Sequence, residues 1–486
     1  MFDWSKIGKL FLHQQDQPLL FHQGFFLLLF AVFLFVYALF LQKDKLRHLL
    51  LIVFSCYFYY KASGIFIVLL GLTISADYLF SFLIEKSSKK IGKWILSIGI
   101  LFSISFLMYF KYRNFFLENT FALFGKEGFT PTSLILPIGI SFYTFQSISY
   151  MVDIYQGKIQ RPSFVKYLMY MLFFPHLVAG PIVRAKDFIP QLKSSLSITK
   201  ENVNEGLYLI IKGLVKKAII ADYVAQYSDI VFSAPDGFTG MEQLVATLCY
   251  TLQIFCDFSG YTDMAIGIAL LLGYRLCLNF DSPYKSFNIT QFWRKWHISL
   301  SSWLRDYIYI PLGGNRRGLI LQLLFLLVTM LIGGFWHGAD WKFVFWGASH
   351  GFLLIFHKLF VKWTKNSFNF KGVNIVSWLV TFSLAALLWV PFRANSMTET
   401  MIIYKGIFTS TNWRILPELV ATNPYLIVAL FVGYGMTLLP SRFKTIGINL
   451  FSKMNFVFKV VVLIVIIQMI IQSQSATVQP FIYFQF

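Results

Sequence analysis

Apolar runs long enough to cross a lipid bilayer recur along the whole chain. A membrane-spanning helix needs about 20 mostly apolar residues, because the hydrocarbon core is about 30 Å thick and a helix rises about 1.5 Å per residue. Seven runs fit this requirement: 24–41, 64–84, 94–110, 320–334 with its flanks, 375–390, 424–439 and 457–471. Four less pure runs are further candidates: 134–150, 167–181, 207–220 and 244–272. The sequence therefore predicts an all-α, polytopic integral membrane protein with roughly eleven spans plus re-entrant helices.

The formal charge of +20 first suggests a nucleic-acid partner. However, the Lys and Arg residues are scattered through short loops, and no dense basic patch stands out. Basic loops at 43–47, 86–93 and 158–166 recur after every second crossing, as the excess of positive charge in cytoplasmic loops requires. We therefore expect a lipid bilayer around the chain, no nucleic acid, an N-terminus outside the cytoplasm and a retained first span rather than a cleaved signal peptide.

Polar residues are concentrated in the centre of the chain. LPIGISFYTFQSISYMVDIYQG, PHLVAGPIVRAKDFIPQL and FCDFSGYTDMAIGIALLLGYRLCLNFDSPY mix Gly, Pro, Asp, Gln or Arg into apolar runs. Broken or closely packed helices are tolerated at membrane depth only where protein or a water-filled cavity covers their backbone. We therefore expect a single membrane-embedded domain, 1–486, in which the central region 134–358 encloses a cavity.

The first candidate catalytic residue is His337, in the string GGFWHGADW. Gly333, Gly334 and Gly338 should weaken the regular shielding of a helix and let another backbone or a ligand approach closely. An imidazole titrates near physiological pH, so it can take a proton from a hydroxyl group and return it to a leaving group. The alternative is a buried histidine that is hydrogen-bonded to a carbonyl group.

A second candidate, His297, lies in FWRKWHISLSSWLRDYIYIPLGGNRRG. Trp296, Leu300 and Trp303 follow helical spacing there, and Arg294 and Lys295 lie toward another face, which is also typical of an amphipathic helix at the membrane interface. The helix carrying His297 should stop near residue 310, because Pro311 lacks a backbone donor and Gly313 and Gly314 favour a turn. A re-entrant segment would fit this pattern.

Weaker candidates surround these two histidines. Asp306 is either a functional carboxylate or, as the pattern favours, half of an ion pair with Arg305 or a charge at a helix end. His350 and His357 share a helix face, but no carboxylate or thiol joins them at ligand spacing, so we predict no metal site. Asp257 and Asp263 lack a basic neighbour in the sequence and should serve packing or hydrogen bonding. The four cysteines should be small buried apolar groups: Cys56, Cys249, Cys256 and Cys277.

The two polar islands, FWRKWHISLSSWLRDYIYIPLGGNRRG and GGFWHGADWKFVFWGASHG, resemble the signature regions of the membrane-bound O-acyltransferase family, and specifically its bacterial alginate O-acetyltransferase branch. LPIGISFYTFQSISYMVDIY, LVAGPIVR, FSGYTDMAIG and the terminal FIYFQF resemble that branch too, so the likeness extends from residue 134 to residue 486. It implies that His337 is catalytic and His297 its companion. Trp336, Trp296 and Asp306 are candidates for substrate binding. The implied fold is a ring of tilted helices around a central tunnel.

The resemblance also implies a reaction. An acyl group, expected to be acetyl, would pass from a cytoplasmic thioester to a hydroxyl acceptor on the outer side, for O-acetylation of a cell-surface or exported polysaccharide. His337 would act as general base, with an acyl-histidine as the variant. We expect no bound cofactor, acetyl-CoA as the donor substrate, a glycan acceptor, and a location in the bacterial cytoplasmic (inner) membrane.

Three alternatives stay open at this point: D-alanyl transfer to teichoic acid from a carrier protein, transport of a lipid-linked glycan, and a non-catalytic membrane scaffold. Because the sequence shows no soluble module that could acylate a polymer, a serine-esterase-type partner outside the cytoplasm is expected to do so. The aromatic tail 478–486 is either a docking element for that partner or an anchor at the membrane interface.

Overall fold

The computed structural model describes residues 4–15, 18–126, 128–192, 196, 198–364, 371–473 and 482. Across these ranges all regular secondary structure is helical. A helix satisfies its own backbone N–H and C=O groups, which lipid cannot do. The predicted all-α class is therefore confirmed.

Contacts between Cα atoms divide the chain into two compact units. The first unit comprises Met1–Leu207 and Met264–Cys277. Its helices, in chain order, are α1 Trp4–Phe11, α2 Gly24–Leu39, α3 Asp44–Ser63, α4 Ile67–Lys86, α5 Lys89–Leu107, α6 Arg113–Leu123, α7 Ile140–Tyr155, α8 Phe164–Leu172, α9 Phe174–Leu177, α10 Ala185–Phe188 and the first half of α11 Lys200–Leu214. Helices α4, α5 and α7 pack against one another.

The second unit comprises Tyr208–Asp263 and Leu278–Phe486. Its helices are the end of α11, α12 Asp222–Ser233, most of α13 Gly240–Leu271, α14 Ile289–Lys295, α15 Ile298–Leu304, α16 Ile310–Leu312, α17 Gly318–His337, α18 Trp341–Thr364, α19 Lys371–Arg393, α20 Met397–Thr409, α21 Leu416–Thr422, α22 Pro424–Leu438, α23 Ser441–Lys453 and α24 Phe456–Ser473. Three π-helical turns occur in the described chain, at Met108–Tyr112, Val215–Ala221 and Arg305–Tyr309.

Short 3₁₀ turns complete the described helical structure. They lie at Gly64–Phe66, Ile189–Gln191, Pro235–Gly237, Pro283–Lys285 and Trp413–Ile415. The first of them joins α3 to α4, where Gly64 adopts a φ of 57° that glycine reaches without a steric cost.

Six helical stretches in the described chain are long and apolar enough to span a membrane: Asp44–Lys86, Lys89–Leu123, Gly240–Leu271, Gly318–His337, Trp341–Thr364 and Asn374–Arg393. A seventh is formed if Trp413–Thr422 and Pro424–Leu438, bent by 100°, count as one span. Gly24–Leu39 and Phe456–Gln472 are apolar but shorter. The chain is thus a multi-pass membrane protein by length and composition, and the total of about eleven crossings stays a prediction.

Large apolar side chains are exposed on the outer faces of these helices. Phe35 is 68% exposed, Ile320 82% and Phe431 81%. In water such exposure would be costly at about 25 cal/mol per Å² of apolar surface, whereas lipid tails solvate these groups. Not every predicted span has a lipid face, because 14 of the 16 residues of α7 are buried.

The four cysteines do not share one environment. Cys249 and Cys256 are buried, as predicted, whereas Cys56 is only half-buried and Cys277 is exposed. The prediction of four buried cysteines is therefore wrong for the last of these. Cys277 lies in the irregular segment after α13.

Candidate active site

Helices α17 and α18 approach each other backbone to backbone just before His337. A Cβ atom added at Gly334 would lie 2.3 Å from the Phe343 carbonyl oxygen, and one at Gly347 would lie 2.5 Å from the Met330 carbonyl oxygen. The close approach of another backbone is therefore confirmed. The predicted weakening of the helix is wrong, because α17 stays regular up to His337 and turns extended only at Gly338.

His337 is enclosed by aromatic rings at the end of α17. Its ring centroid lies 5.0 Å from that of Trp336, 5.1 Å from Trp346 on α18 and 5.1 Å from Phe392 on α19, each in an edge-to-face arrangement. The side chain is 3% exposed. Such a box holds the imidazole in one place and excludes bulk water, and a dry site strengthens the electrostatic interactions of a reacting group.

His297 lies at a break between two short helices rather than on one. α14 ends at Lys295, α15 begins at Ile298, and His297 takes a left-handed conformation with φ 43° and ψ 55°. Within the described chain only Ser282 is another non-glycine residue with positive φ. The predicted helix through His297 is therefore wrong at this residue, although the helical path does continue to Leu312, close to the expected end.

The surroundings of His297 are those of a protein core. The side chains of Trp296, Leu300 and Trp303 are all buried, as is His297 itself at 0% exposure. These side chains therefore pack against protein, and an amphipathic helix at the membrane interface stays the alternative for this segment. The Phe258 ring on α13 contacts the imidazole edge-to-face at 4.7 Å. Burial lowers the pKa of His297 to about 3, so the ring is neutral at physiological pH.

One indole ring contacts both histidines. The Trp336 ring centroid lies 6.0 Å from that of His297 and 5.0 Å from that of His337. The structure thus brings together the two histidines and one of the predicted substrate-binding residues. Trp296 belongs to an adjoining aromatic cluster, where it stacks on Phe292 at 5.7 Å and meets Trp389 at 4.8 Å.

The other candidates lie elsewhere. Asp306 forms an ion pair with Arg305 at 2.8 Å, which is the role that the sequence pattern favours. His350 accepts a hydrogen bond from the indole N–H of Trp293 at 3.3 Å. His357 instead shares a hydrogen bond of 2.9 Å with the Thr290 hydroxyl. No cluster of potential metal ligands is found among the described residues.

A cavity of about 590 Å³ opens between α14, α15, α17 and α18. Its basic lining groups are Arg294, Arg305 and Lys358, and hydroxyl groups come from Thr290, Ser301 and Ser302. Trp293 forms part of the wall and contacts Trp346 at 5.6 Å, which in turn contacts His337 at 5.1 Å. A basic, partly apolar cavity of this size suits an anionic ligand with a flexible arm.

Comparison with known proteins decides the family. The model of the membrane-bound O-acyltransferase family matches residues 90–390, which include both histidines. The chain belongs to this family. It is therefore an O-acyltransferase embedded in a membrane.

Three named relatives support this assignment, and two of them match most of the chain. A probable alginate O-acetylase AlgI of Pseudomonas putida is 35% identical over 96% of this chain and 100% of its own length. A peptidoglycan O-acetyltransferase of Helicobacter pylori is 36% identical over 77% of this chain and 76% of its own length. A teichoic acid D-alanyltransferase of Bacillus subtilis is 30% identical over 48% of this chain and 62% of its own length.

Two buried carboxylates of the acyltransferase have basic partners that the sequence did not reveal. Asp257 pairs with Lys217 at 2.6 Å, and Asp263 pairs with Lys216 at 2.8 Å and Lys212 at 3.1 Å. The partners come from α11 and the π-helical turn after it, some forty residues earlier in the chain. The roles of Asp257 and Asp263 are therefore ion pairing as well as hydrogen bonding.

The tail 478–486 lies outside the described residues except for Ile482. The backbone N–H of Ile482 donates a hydrogen bond to Asp257 Oδ2 at 2.7 Å, and its side chain is buried. Docking of a partner on this tail stays a prediction.

Sequence reasoning missed several residues that build the site. Trp346 and Phe392 enclose His337, and Asn279 bonds to His297 Nδ1 at 3.0 Å. The sequence did not single out these residues, because aromatic side chains and single Asn residues are common in the interior of membrane proteins.

Proposed function

We propose that this acyltransferase moves an acetyl group from a cytoplasmic thioester to a hydroxyl group of a cell-surface or exported polysaccharide. The observation that carries the proposal is the pairing of two buried histidines across one indole ring, beside a basic cavity. The proposal includes the predicted setting, a bacterial cytoplasmic membrane crossed about eleven times, with the helices in a ring around a central tunnel.

His337 acts as the general base in this proposal. It accepts the proton of the acceptor hydroxyl while the hydroxyl oxygen attacks the thioester carbonyl, and the thiol leaves as the proton is returned. A positioned base typically contributes about 10²–10⁴-fold to the rate. His297 positions the donor or acceptor. In the covalent variant the acetyl group first passes to an imidazole nitrogen and then to the hydroxyl oxygen.

Acetyl-CoA is the proposed donor. The guanidinium groups of Arg294 and Arg305 and the ammonium group of Lys358 line the cavity, and cations of this kind pair well with phosphate oxygens. A flexible thioester arm in this cavity would approach the aromatic wall of Trp293 and Trp346, which leads to His337. The acceptor would then stay on the outer side of the membrane.

A carrier protein is the second candidate donor. The observation behind this candidate is the similarity to a teichoic acid D-alanyltransferase, which covers 48% of this chain. In either case we propose a serine-esterase-type partner outside the cytoplasm, because a long hydrophilic glycan would not readily thread a tunnel that is surrounded by lipid.

Membrane vesicles of defined orientation test the donor and its side of entry. Labelled acetyl-CoA is added outside inside-out vesicles, which expose the cytoplasmic face, and outside right-side-out vesicles. We expect protein-dependent thioester consumption and product label only in the inside-out vesicles. Activity that requires an acylated carrier protein would favour the second donor. Absence of any acyl transfer together with movement of a lipid-linked glycan would replace the proposal with transport.

A further inference from the structure

The side chain of Asn279 makes three hydrogen bonds at the break that holds His297. Its Oδ1 atom accepts from the backbone N–H of Ser299 at 3.2 Å and from the Ser299 hydroxyl at 2.9 Å, and it lies 3.0 Å from His297 Nδ1. Asn279 is 0% exposed. The whole arrangement lies in the second unit, 18 to 20 residues along the chain from Asn279.

These contacts determine which nitrogen of His297 carries hydrogen. A backbone N–H can only donate, so the Asn279 atom that faces the Ser299 N–H must be the carbonyl oxygen rather than the amide nitrogen. That oxygen can only accept, so His297 Nδ1 must donate to it. A neutral imidazole has a single N–H group, which leaves the lone pair of the ring on Nε2.

The left-handed backbone at His297 is also held by Asn279. A left-handed conformation is strained for a residue such as His297, so its surroundings must hold it in place. Asn279 does so on both sides, because its backbone carbonyl accepts a hydrogen bond from Ile298 N at 2.9 Å while its side chain accepts from Ser299 N. The Ser299 N–H lies in the first turn of α15, where helical N–H groups have no acceptor within the helix, and it is capped by Asn279 rather than by the side chain of His297.

We propose that Asn279 is a positioning residue for acyl transfer, holding His297 as the Nδ1–H tautomer so that Nε2 presents its lone pair to the acyl donor or acceptor. The proposal rests on the proposed role of His297 at the transfer site. It assigns to Asn279 no contact with the substrate. The Asn279 side chain thus has two effects: it caps α15 through Ser299, and it controls the His297 imidazole through Nδ1.

A double-mutant cycle tests the proposal. Asn279→Ala, His297→Ala and the double variant are compared with the wild-type protein for kcat and KM of acetyl transfer. We expect Asn279→Ala to lower kcat by about 10²-fold, since misplacement of a reacting group by about 1 Å costs that much. The double variant should be no slower than His297→Ala alone, because Asn279 acts only through the imidazole. Asn412→Ala, which removes a backbone cap at Trp413–Ile415, is the matched control and should keep wild-type kinetics.

The pH profile of Asn279→Asp distinguishes control of the imidazole from capping of α15, because capping alone would not change the profile. Aspartate keeps the acceptor oxygen, and three donors favour its ionised form, so the carboxylate should stabilise the imidazolium and raise the pKa of His297. The titratable groups next to the rings that contact this imidazole are Asp257 beside Phe258, His337 beside Trp336 and Asp281 beside Phe280. Asp257 is already paired with Lys217 at 2.6 Å, and Asp263, further along α13, is paired with Lys216 at 2.8 Å. The acidic limb of the pH profile should therefore move up by about 1–3 pH units, with kcat largely kept on the alkaline side.

Several results would overturn the proposal. Near-normal kcat in Asn279→Ala, or a further loss in the double variant beyond His297→Ala, would show that Asn279 does not act through His297. If Asn279→Ala fails to accumulate, the Asn279→Asp variant replaces it. An unshifted pH profile in that variant would show that Asn279 does not act through His297. Wild-type activity in His297→Ala would instead remove the role of His297, and a normal Asn279→Ala beside an impaired His297→Ala would overturn the positioning role alone.

Discussion

The two histidines of this acyltransferase differ in what surrounds each ring. His337 is enclosed by Trp336, Trp346 and Phe392, so aromatic faces and edges fix its position. His297 is fixed by a hydrogen bond to Asn279 and by a strained backbone. A base that must exchange protons with substrates suits the first environment, and a group that orients a substrate suits the second.

Replacing His297 with alanine should impair transfer severely without abolishing it. The positioning of a substrate contributes roughly 10²-fold, whereas the proposed base, His337, remains in place. Steady-state kinetics in membranes, with the amount of folded protein measured in parallel, checks this expectation. Wild-type kinetics would show that the segment around His297 has no part in the reaction.

The cationic lining of the cavity gives a second expectation at this scale. Lys358→Ala should raise the KM for acetyl-CoA roughly tenfold, because a hydrogen bond to a charged group contributes roughly 1.5 kcal/mol or more. Lys362→Ala, one helical turn further along α18 and exposed, is the matched control. Titration of the donor concentration in membranes measures both values. Equal KM values in the two variants would place the donor phosphates elsewhere.

At the scale of elements, the crossing of α17 and α18 positions His337. The two helices meet at Gly334 and Gly347, where no side chain separates the backbones. The break between α14 and α15 positions His297, and the segment at 279–281 pairs with it through the hydrogen bonds Ile298 N to Asn279 O and Asp281 N to Lys295 O. Each catalytic candidate is therefore placed by backbone geometry rather than by a flexible loop.

Gly334→Ala should displace α18 and slow transfer. The added Cβ would lie 2.3 Å from the Phe343 carbonyl oxygen, and relief of such overpacking typically costs about 1–3 kcal/mol. We expect a lower midpoint of thermal unfolding in detergent together with a loss of kcat. Gly435→Ala on α22, whose Cβ would meet no atom within 4 Å, should change neither quantity. Equal unfolding midpoints in the two variants would contradict the close packing described for α17 and α18.

Part of this arrangement could be predicted from the sequence. His337, His297 and Trp336 stand out because they belong to polar islands in an otherwise apolar chain, where such residues are costly. The break at His297 could not be predicted, because WRKWHISLSSW has helical spacing and no Gly or Pro, and the stabilising Asn279 lies 18 residues earlier. The aromatic box and the Lys–Asp pairs likewise join distant segments, and a single sequence carries no signal of such contacts.

At the scale of the whole molecule, the exposed apolar helices and the two histidines describe an enzyme that works inside a membrane. The described chain includes six helices that are long and apolar enough to cross a bilayer, or seven with the bent pair. Both histidines, the cavity and the Lys–Asp pairs lie in the second unit. We infer that this unit carries the chemistry of acyl transfer.

The purified protein alone should bind or hydrolyse the acyl donor but not acylate a polymer efficiently. The reason is that, in the proposed function, a partner outside the membrane passes the acyl group to the long hydrophilic glycan. Thioester consumption and polymer ester formation are measured with acetyl-CoA as the only addition. Efficient acylation of the polymer by the isolated subunit would show that no partner is required.

If His337 is the base of acyl transfer, the ester content of surface glycans in cells should depend on its imidazole. A deletion strain is complemented with the wild-type protein, His337→Ala or His48→Ala, which removes a half-buried histidine of the first unit. Mass spectrometry gives the ester content, and immunoblotting of membranes gives the protein level. The account predicts that His337→Ala accumulates normally but leaves esters at the level of the deletion strain, while His48→Ala restores them. Near-normal ester content with His337→Ala would contradict the account.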